Sequence, residues 1–192
     1  MDYEGCIFYH NPHFFVIAHH PAMKCDFFRL CFLYKKGGFY VDADEVYTGK
    51  DYSELIADGT LKLQPLCYDL VEEKMVDTRI FLNIEHYNSS MIFYVNNNPI
   101  ISPPGHQLLK IAIDRATGLL NNMKIKDNLG IQELAGPGNL SASLVNHSLH
   151  LLKNDKPFDF AFIRNWEEYS SCEWFLSYRK DQRNWRLYKK NR

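Results

Sequence analysis

Two aspartates one residue apart, Asp42 and Asp44, are the residues of this chain best suited to chemistry. They follow a short apolar strand predicted over residues 39–41, and therefore lie where a strand ends. Two carboxylates this close repel each other unless a cation lies between them, and divalent cations with oxygen ligands are the usual solution. Asp26 and Arg29 are three residues apart on a preceding predicted helix and share one face of it. The pattern predicts a divalent-cation site beside an ion pair, and the alternative is a solvated acidic turn with an ordinary surface ion pair.

The elements that position these residues can be predicted from hydrophobic periodicity. Apolar residues recur every three or four positions over residues 21–36, which predicts a helix, and Gly37 with Gly38 ends it. Strands interleaved with helices favour an α/β layer fold. Further strands are predicted over residues 14–18, 61–70, 79–84, 90–95 and 158–163, and further helices over 105–120 and 140–152. We expect the run Asn96–Pro99 to end the strand before it, and Asn139 or Ser141 to cap the last helix.

Length and composition exclude several classes of protein. The chain has 192 residues, of which 46% are hydrophobic and 23% charged, as is typical of one globular domain. Its net charge of −1 argues against a nucleic-acid partner. No apolar run approaches the roughly 20 residues that span a bilayer, so no transmembrane segment or signal peptide is expected. The five cysteines form no C-x-x-C pair, which favours free thiols and predicts a cytoplasmic location.

Two other interpretations of the acidic motif can be tested by spacing. A calcium-binding EF-hand loop that began at Asp42 would need an oxygen ligand, a glycine and a glutamate where the chain has Val46, Tyr47 and Ser53, so it is excluded. A haloacid-dehalogenase-like phosphatase also begins with an apolar strand and D-x-D, and uses the first aspartate as nucleophile. That chemistry needs a later acidic pair for magnesium, commonly in a G-D-x-x-x-D or D-D pattern, and the chain has neither. The phosphatase remains an alternative.

The segment resembles the glycosyltransferases that carry a DXD sugar-binding region, a group that includes capsular-polysaccharide-type transferases, mannosyltransferases and glucosylating toxins. Their pattern is D-x-x-R on a helix, followed by L-Y-x-x-G-G-x-Y-x-D-x-D. The match covers most of residues 22–145 and consists of three blocks: Asp26–Asp44, then Asn97-Asn98 with Pro104-Gly105-His106, then Ala135–Leu140.

The resemblance implies an α/β fold of GT-A type, a Rossmann-like mixed sheet flanked by helices, in a single domain over residues 1–192. Residues 165–192 would form a C-terminal lid or tail. Relatives usually have some dozens of residues before D-x-x-R, including a strand that cradles the nucleotide base, whereas 25 residues precede Asp26 here. The match is therefore short at the N-terminus, and the choice between UDP and GDP stays open.

The resemblance also implies a metal-dependent, retaining transferase of hexosyltransferase type, as in polysaccharide biosynthesis. It would move a sugar from a UDP- or GDP-sugar to a carbohydrate or protein acceptor. Asp44 would bind Mn²⁺ or Mg²⁺ directly, and Asp42 would act through the ribose and a metal-bound water. Asp26 and Arg29 would bind hydroxyls of the donor sugar, with Arg29 also balancing charge near the leaving group. A truncated, non-catalytic domain that binds sugar nucleotides or serves as a scaffold is a further alternative.

Four more residues are predicted by resemblance to bind substrate. Tyr40 would line the donor pocket, and Asn98 would contact the sugar or the acceptor. His106 would lie on the acceptor side, and Trp185 would stack on the donor. Each also has a structural explanation, respectively a strand core aromatic, a turn residue, a buried histidine and a solvated basic tail. That tail carries seven cations over residues 179–192, which also suits weak contact with an anionic membrane surface.

Overall fold

The computed structural model describes residues 18, 20–77, 80, 89–122 and 130–171. Together they form a mixed sheet packed with helices. The helices are α1 (Pro21–Lys36), α2 (Ser53–Ile56), α3 (Gln107–Asn121), α4 (Ile131–Leu134) and α5 (Pro137–Lys153). The strands are β1 (Gly38–Tyr40), β2 (Val46–Tyr47), β3 (Leu61–Asp69), β4 (Lys74–Val76), β5 (Met91–Ser102), β6 (Phe160–Phe162) and β7 (Ser170–Ser171), with a 3₁₀ turn at Trp166–Glu168.

The main sheet has the strand order β1-β5-β3-β4, and β6 also pairs with β3. The pairs β1–β5, β5–β3 and β3–β4 are antiparallel, whereas β6 runs parallel to β3. Helix α3 packs on both α1 and α5, and α5 also packs on β5. This confirms the predicted α/β fold with a mixed sheet flanked by helices. Among the described helices, none is both long and apolar enough to cross a membrane.

Helix α1 forms as the periodicity predicts, and its ends are well defined. The Nδ1 atom of His20 accepts a hydrogen bond from the Ala22 N–H at 3.1 Å, and Pro21 occupies the first turn, where its missing N–H is not needed. The helix ends at Gly37, whose φ of +66° disfavours other residues. A Cβ atom at this position would lie 2.8 Å from the Ser102 carbonyl oxygen. Glycine therefore allows the chain to turn directly from α1 into β1.

Strand β5 differs from its prediction, because Asn96–Pro99 does not end it. Val95 pairs with Pro65 and Ile100 pairs with Leu63, so that four residues of β5 lie opposite Gln64 alone. The strand continues because β3 and β1 both pair with it beyond the extra residues. The predicted strand end is therefore wrong, and residues 96–99 form a bulge inside a strand. Bulges of this kind often redirect side chains beside functional sites.

The later elements agree with prediction more closely. Helix α3 and strand β6 lie within the predicted ranges, give or take two residues. Helix α5 begins at Pro137, earlier than predicted, because proline suits the first helical position. Asn139 and Ser141 therefore lie inside the helix, and the prediction that one of them caps it is wrong; Gly136 occupies that position. The predicted strands 14–18 and 79–84 fall almost entirely outside the described residues.

Candidate functional site

Three distant parts of the chain meet where β1 ends. Helix α1 carries Asp26 and Arg29, the segment after β1 carries the D-x-D motif, and the bulge of β5 contacts both. The side chains that they bring together are Asp26, Arg29, Tyr40, Asp42, Asn97 and Asn98. Most of the predicted donor-site residues therefore lie in one cluster.

Arg29 is the centre of this cluster. One terminal nitrogen of its guanidinium lies 3.0 Å from Asp26 Oδ1 and 3.2 Å from Asp42 Oδ1, and the other donates to the Asn97 carbonyl oxygen at 2.8 Å. The guanidinium also lies over the Tyr40 ring, 4.3 Å from its centroid. Only 6% of Arg29 is exposed, so its charge needs these two carboxylates. Arg29 thus joins the D-x-x-R helix to the D-x-D segment.

Asp26 is a buried carboxylate held on several sides. Its Oδ1 atom accepts a hydrogen bond from the Asn97 side-chain amide at 2.8 Å as well as pairing with Arg29. Its Oδ2 atom lies close to Gly136, where a Cβ atom would come within 3.2 Å of it. Burial raises the pKa of Asp26 to about 6, although Arg29 and Asn97 favour its ionised form. A carboxylate kept against such a cost is typical of a functional site.

The pKa of Asp26 predicts a specific pH dependence of stability. Because the folded state holds this proton more tightly than the unfolded chain, the free energy of unfolding should fall as the pH rises from about 4 to about 7. The asparagine variant, Asp26→Asn, lacks this contribution. We expect the free energy of unfolding of the parent, minus that of the variant, to fall by about 3 kcal/mol over this range. Urea titrations at several pH values measure it. If the difference between parent and variant instead rises with pH, the attraction of Arg29 lowers the pKa of Asp26 by more than burial raises it.

The D-x-D segment forms a turn whose backbone is fixed by two hydrogen bonds. The Glu45 N–H donates to the Asp42 carbonyl oxygen at 3.2 Å and closes the turn. The Asp42 N–H donates to Asn98 Oδ1 at 2.8 Å and ties the turn to the β5 bulge. The Tyr40 hydroxyl donates to Asp42 Oδ1 at 2.8 Å, and burial raises the pKa of this phenol, so it stays a donor. The Asp42 side chain is still 36% exposed, and Asp44 is half-buried.

The donor chemistry of this turn suits Mn²⁺ or Mg²⁺. Asp42 and Asp44 offer carboxylate oxygens at an accessible point of the molecule. Within the described part of the chain, neither belongs to a group of three ligand atoms close enough to enclose an ion. Magnesium is often held by one or two protein carboxylates, with substrate phosphates supplying further ligands. Asp42 and Asp44 therefore offer two carboxylate ligands of the kind that such a cation accepts.

One group of three candidate metal ligands does occur in the described residues, at His106, His147 and Asp159. His106 caps α3, because its Nδ1 atom accepts from the Leu108 N–H at 3.2 Å. The proton of a neutral ring must then lie on Nε2, which is 3.1 Å from the Asp159 carbonyl oxygen. His147 Nε2 lies 2.7 Å from Asp159 Oδ1. A metal on the Nε2 atom of His106 would displace that proton, so the trio fits a hydrogen-bonded brace better than a metal site.

The remaining predictions divide into three kinds. Tyr40 and Asn98 belong to the cluster around Arg29. Among the described residues, no hydrogen bond or ion pair joins His106 to that cluster, so its acceptor-side role stays a prediction. Trp185 lies outside the described residues.

The sequence analysis missed Asn97 as a site residue, although its side-chain amide donates to Asp26 and its carbonyl oxygen accepts from Arg29.

Comparison with known proteins identifies the region that contains the site. Residues 8–59 match the family model of the glycosyltransferase sugar-binding region containing the DXD motif. No curated protein matches the chain. A solved structure described as PaToxG Glycosyltransferase is similar at 14% identity and a TM-score of 0.38. That similarity covers 92% of this chain and 60% of the other. The family match includes Asp26, Arg29, Asp42 and Asp44. Residues 8–59 are therefore similar to the sugar-binding region of the DXD-containing glycosyltransferases.

Proposed function

We propose that this protein is a metal-dependent, retaining glycosyltransferase that moves a hexose from a nucleotide-diphosphate sugar to a carbohydrate or protein acceptor. One observation carries the proposal: the Arg29 guanidinium contacts Asp26 and Asp42 together. The two halves of the sequence motif are thereby joined at one site through the Arg29 guanidinium. The side chains of Tyr40, Asn97 and Asn98 surround it. The match of residues 8–59 to the family supports the transferase class.

In this proposal the D-x-D turn would hold the diphosphate end of the donor. Asp44 would hold Mn²⁺ or Mg²⁺ directly, and Asp42 would act beside it through the ribose of the donor. The chemistry that such a cation supplies when bound is neutralisation of the charge on the departing diphosphate. The exposed fraction of Asp42 and the fixed backbone of the turn support this role, because the Asp42 carboxylate stays accessible on a turn that is held in place.

The buried half of the cluster would hold the sugar. Asp26 accepts hydrogen bonds from donor hydroxyls, and Arg29 adds positive charge near the leaving group. The phenol of Tyr40 and the amide of Asn98 already bond to Asp42. Their contacts therefore support a role in placing the turn, and their direct contact with substrate stays a prediction.

Retention of anomeric configuration would proceed by front-face displacement. The acceptor oxygen forms a bond to the anomeric carbon on the face from which the diphosphate oxygen departs, and the leaving diphosphate takes the acceptor proton. This mechanism needs no carboxylate nucleophile.

A panel of donors tests the proposed function. We expect the protein with Mn²⁺ to release UDP or GDP from one member of a panel of UDP- and GDP-sugars, and a chelator to stop the release. Phenyl phosphate should not be hydrolysed, because a sugar transferase does not cleave simple phosphate esters. Its hydrolysis would favour the phosphatase alternative. Thermal-shift titration with UDP, GDP and Mn²⁺ identifies the scaffold alternative, for which no nucleotide raises the melting temperature. Hydrolysis of phenyl phosphate would contradict the proposal, and so would the absence of any rise in melting temperature with UDP or GDP.

A further inference from the structure

We propose that Glu45, the residue after the D-x-D motif, is a positioning residue for the donor site. Its carboxylate is occupied by donors from outside the turn. Oε1 accepts from the Asn98 side-chain amide at 2.7 Å and from Trp166 Nε1 at 3.4 Å, and Oε2 accepts from the Ser170 hydroxyl. A carboxylate beside Asp42 and Asp44 would ordinarily be interpreted as a third metal ligand. Because both oxygens of Glu45 already bond to protein groups, we assign it a positioning role instead. The functional importance of that task rests on the proposed function.

Glu45 determines which way the Asn98 amide faces. The side chain of Asn98 has a donating end and an accepting end, whereas an ionised carboxylate only accepts. The Nδ2 end therefore faces Glu45, and the Oδ1 end is left for the Asp42 N–H. The reversed amide would place two N–H groups against each other at Asp42 and two acceptors against each other at Glu45. The orientation that fixes the D-x-D turn is thus set by Glu45.

The anchor behind Glu45 is well packed. Trp166 is 6% exposed and contacts the Phe39 ring edge-on, with 5.9 Å between ring centroids. Strand β7, which contains Ser170, pairs with β2 directly after the turn. Glu45 therefore joins two packed segments, the β5 bulge on one side and residues 166–171 on the other. Such outer contacts are what keep ligand-binding groups in place.

The same bulge aligns the two halves of the site. Asn98 holds the D-x-D turn, while the adjacent Asn97 holds Asp26 and Arg29. A change at Glu45 that releases Asn98 should therefore displace Asp42 relative to Arg29. It should do so even though Glu45 itself contacts neither Asp26 nor Arg29.

Two variants of Glu45 test the inference. In Glu45→Ala we expect the Asp42 amide of the ligand-free protein to exchange with solvent about 10- to 100-fold faster, as measured by NMR. The dissociation constant for UDP with Mn²⁺, or for GDP with Mn²⁺ if the parent binds only that, should rise by about 10- to 100-fold. In Glu45→Gln the amide oxygen can still accept from Asn98, and its NH₂ can donate to Ser170, so most of both properties should be restored. Glu72→Ala, an exposed glutamate outside the cluster, is the control and should match the parent.

The outcomes separate this inference from the proposed function. Unchanged exchange at Asp42 in Glu45→Ala overturns the positioning role. A loss of Mn²⁺ affinity that is equal in Glu45→Ala and Glu45→Gln, with unchanged exchange, identifies a metal ligand and also overturns it. If the parent binds neither nucleotide, the proposed function fails, and the exchange rates of the ligand-free proteins still decide whether Glu45 positions the turn.

Discussion

Replacing Arg29 with alanine should destabilise the folded protein by about 3–5 kcal/mol and abolish sugar transfer. The change leaves Asp26 and Asp42 facing each other without their common cation, and Asp26 is 8% exposed. Removing one partner from a buried ion pair costs more than the pair itself contributes, because the remaining charge stays buried. The free energy of unfolding, from urea titration near pH 7.5, measures the first effect, and nucleotide release from a donor sugar measures the second.

Two further variants show whether the geometry of Arg29 matters beyond its charge. Arg29→Lys keeps the cation but has no planar fork, and cannot reach Asp26, Asp42 and Asn97 together. We expect intermediate stability and activity at least about 100-fold below the parent. Arg164→Ala removes an exposed arginine outside the cluster and should behave like the parent. Full activity in Arg29→Lys would contradict the view that one guanidinium organises the site.

Replacing Asp44 with asparagine should have the opposite profile, a large loss of activity without a loss of stability. The hydrogen bonds that fix the turn come from the Asp42 and Glu45 backbone, so the substitution leaves them in place. An amide is a poorer ligand for Mn²⁺ than a carboxylate, and we expect transfer to fall by at least about 100-fold. The melting temperature should stay within about 2 °C of the parent.

The control for Asp44→Asn is Asp114→Asn, which removes an exposed carboxylate that pairs with Lys110 on α3. It should leave both transfer and melting temperature unchanged. If Asp44→Asn is as active as the parent at saturating Mn²⁺, Asp44 is not a metal ligand. If it instead unfolds, its role is structural.

Local signals predicted the parts of the site that are close in sequence. The apolar period of α1, the glycines after it and the short strand β1 all follow from residues within a few positions of one another. They place Asp26 and Arg29 on one helix face, and Asp42 at a strand end. The structure adds that Arg29 reaches both carboxylates, a contact that joins α1 to the segment after β1.

The contribution of β5 could not be predicted from the sequence. The turn-forming residues Asn96–Pro99 indicate a strand end by every local rule. Their conformation is decided by the pairing of β5 with β3 and β1, and the residues of β3 that pair on either side of them, Pro65 and Leu63, lie 30 and 37 positions from their partners Val95 and Ile100. The bulge that results places Asn97 against Asp26, a contact across 71 positions.

The contacts of Glu45 could not be predicted from the sequence either. Beside two aspartates it is expected to be one more solvated acid. Its partner Ser170 lies 125 positions away, and Trp166 lies 121 positions away. The pairing of β2 with β7 helps to bring these groups together. Contacts with residues distant in sequence thus distinguish Glu45, whose carboxylate is bonded to Asn98, Trp166 and Ser170, from the two aspartates beside it.

The central claim is that Asp26, Arg29, Asp42 and Asp44 form one donor site that works with a divalent cation. Calorimetric titration of the parent protein with UDP- and GDP-sugars, with and without Mn²⁺, tests it most directly. We predict that sugars of one nucleotide bind when Mn²⁺ is present and that a chelator removes this binding. Absence of binding by every donor in saturating Mn²⁺, or binding that is equally strong in the presence of the chelator, would contradict the claim.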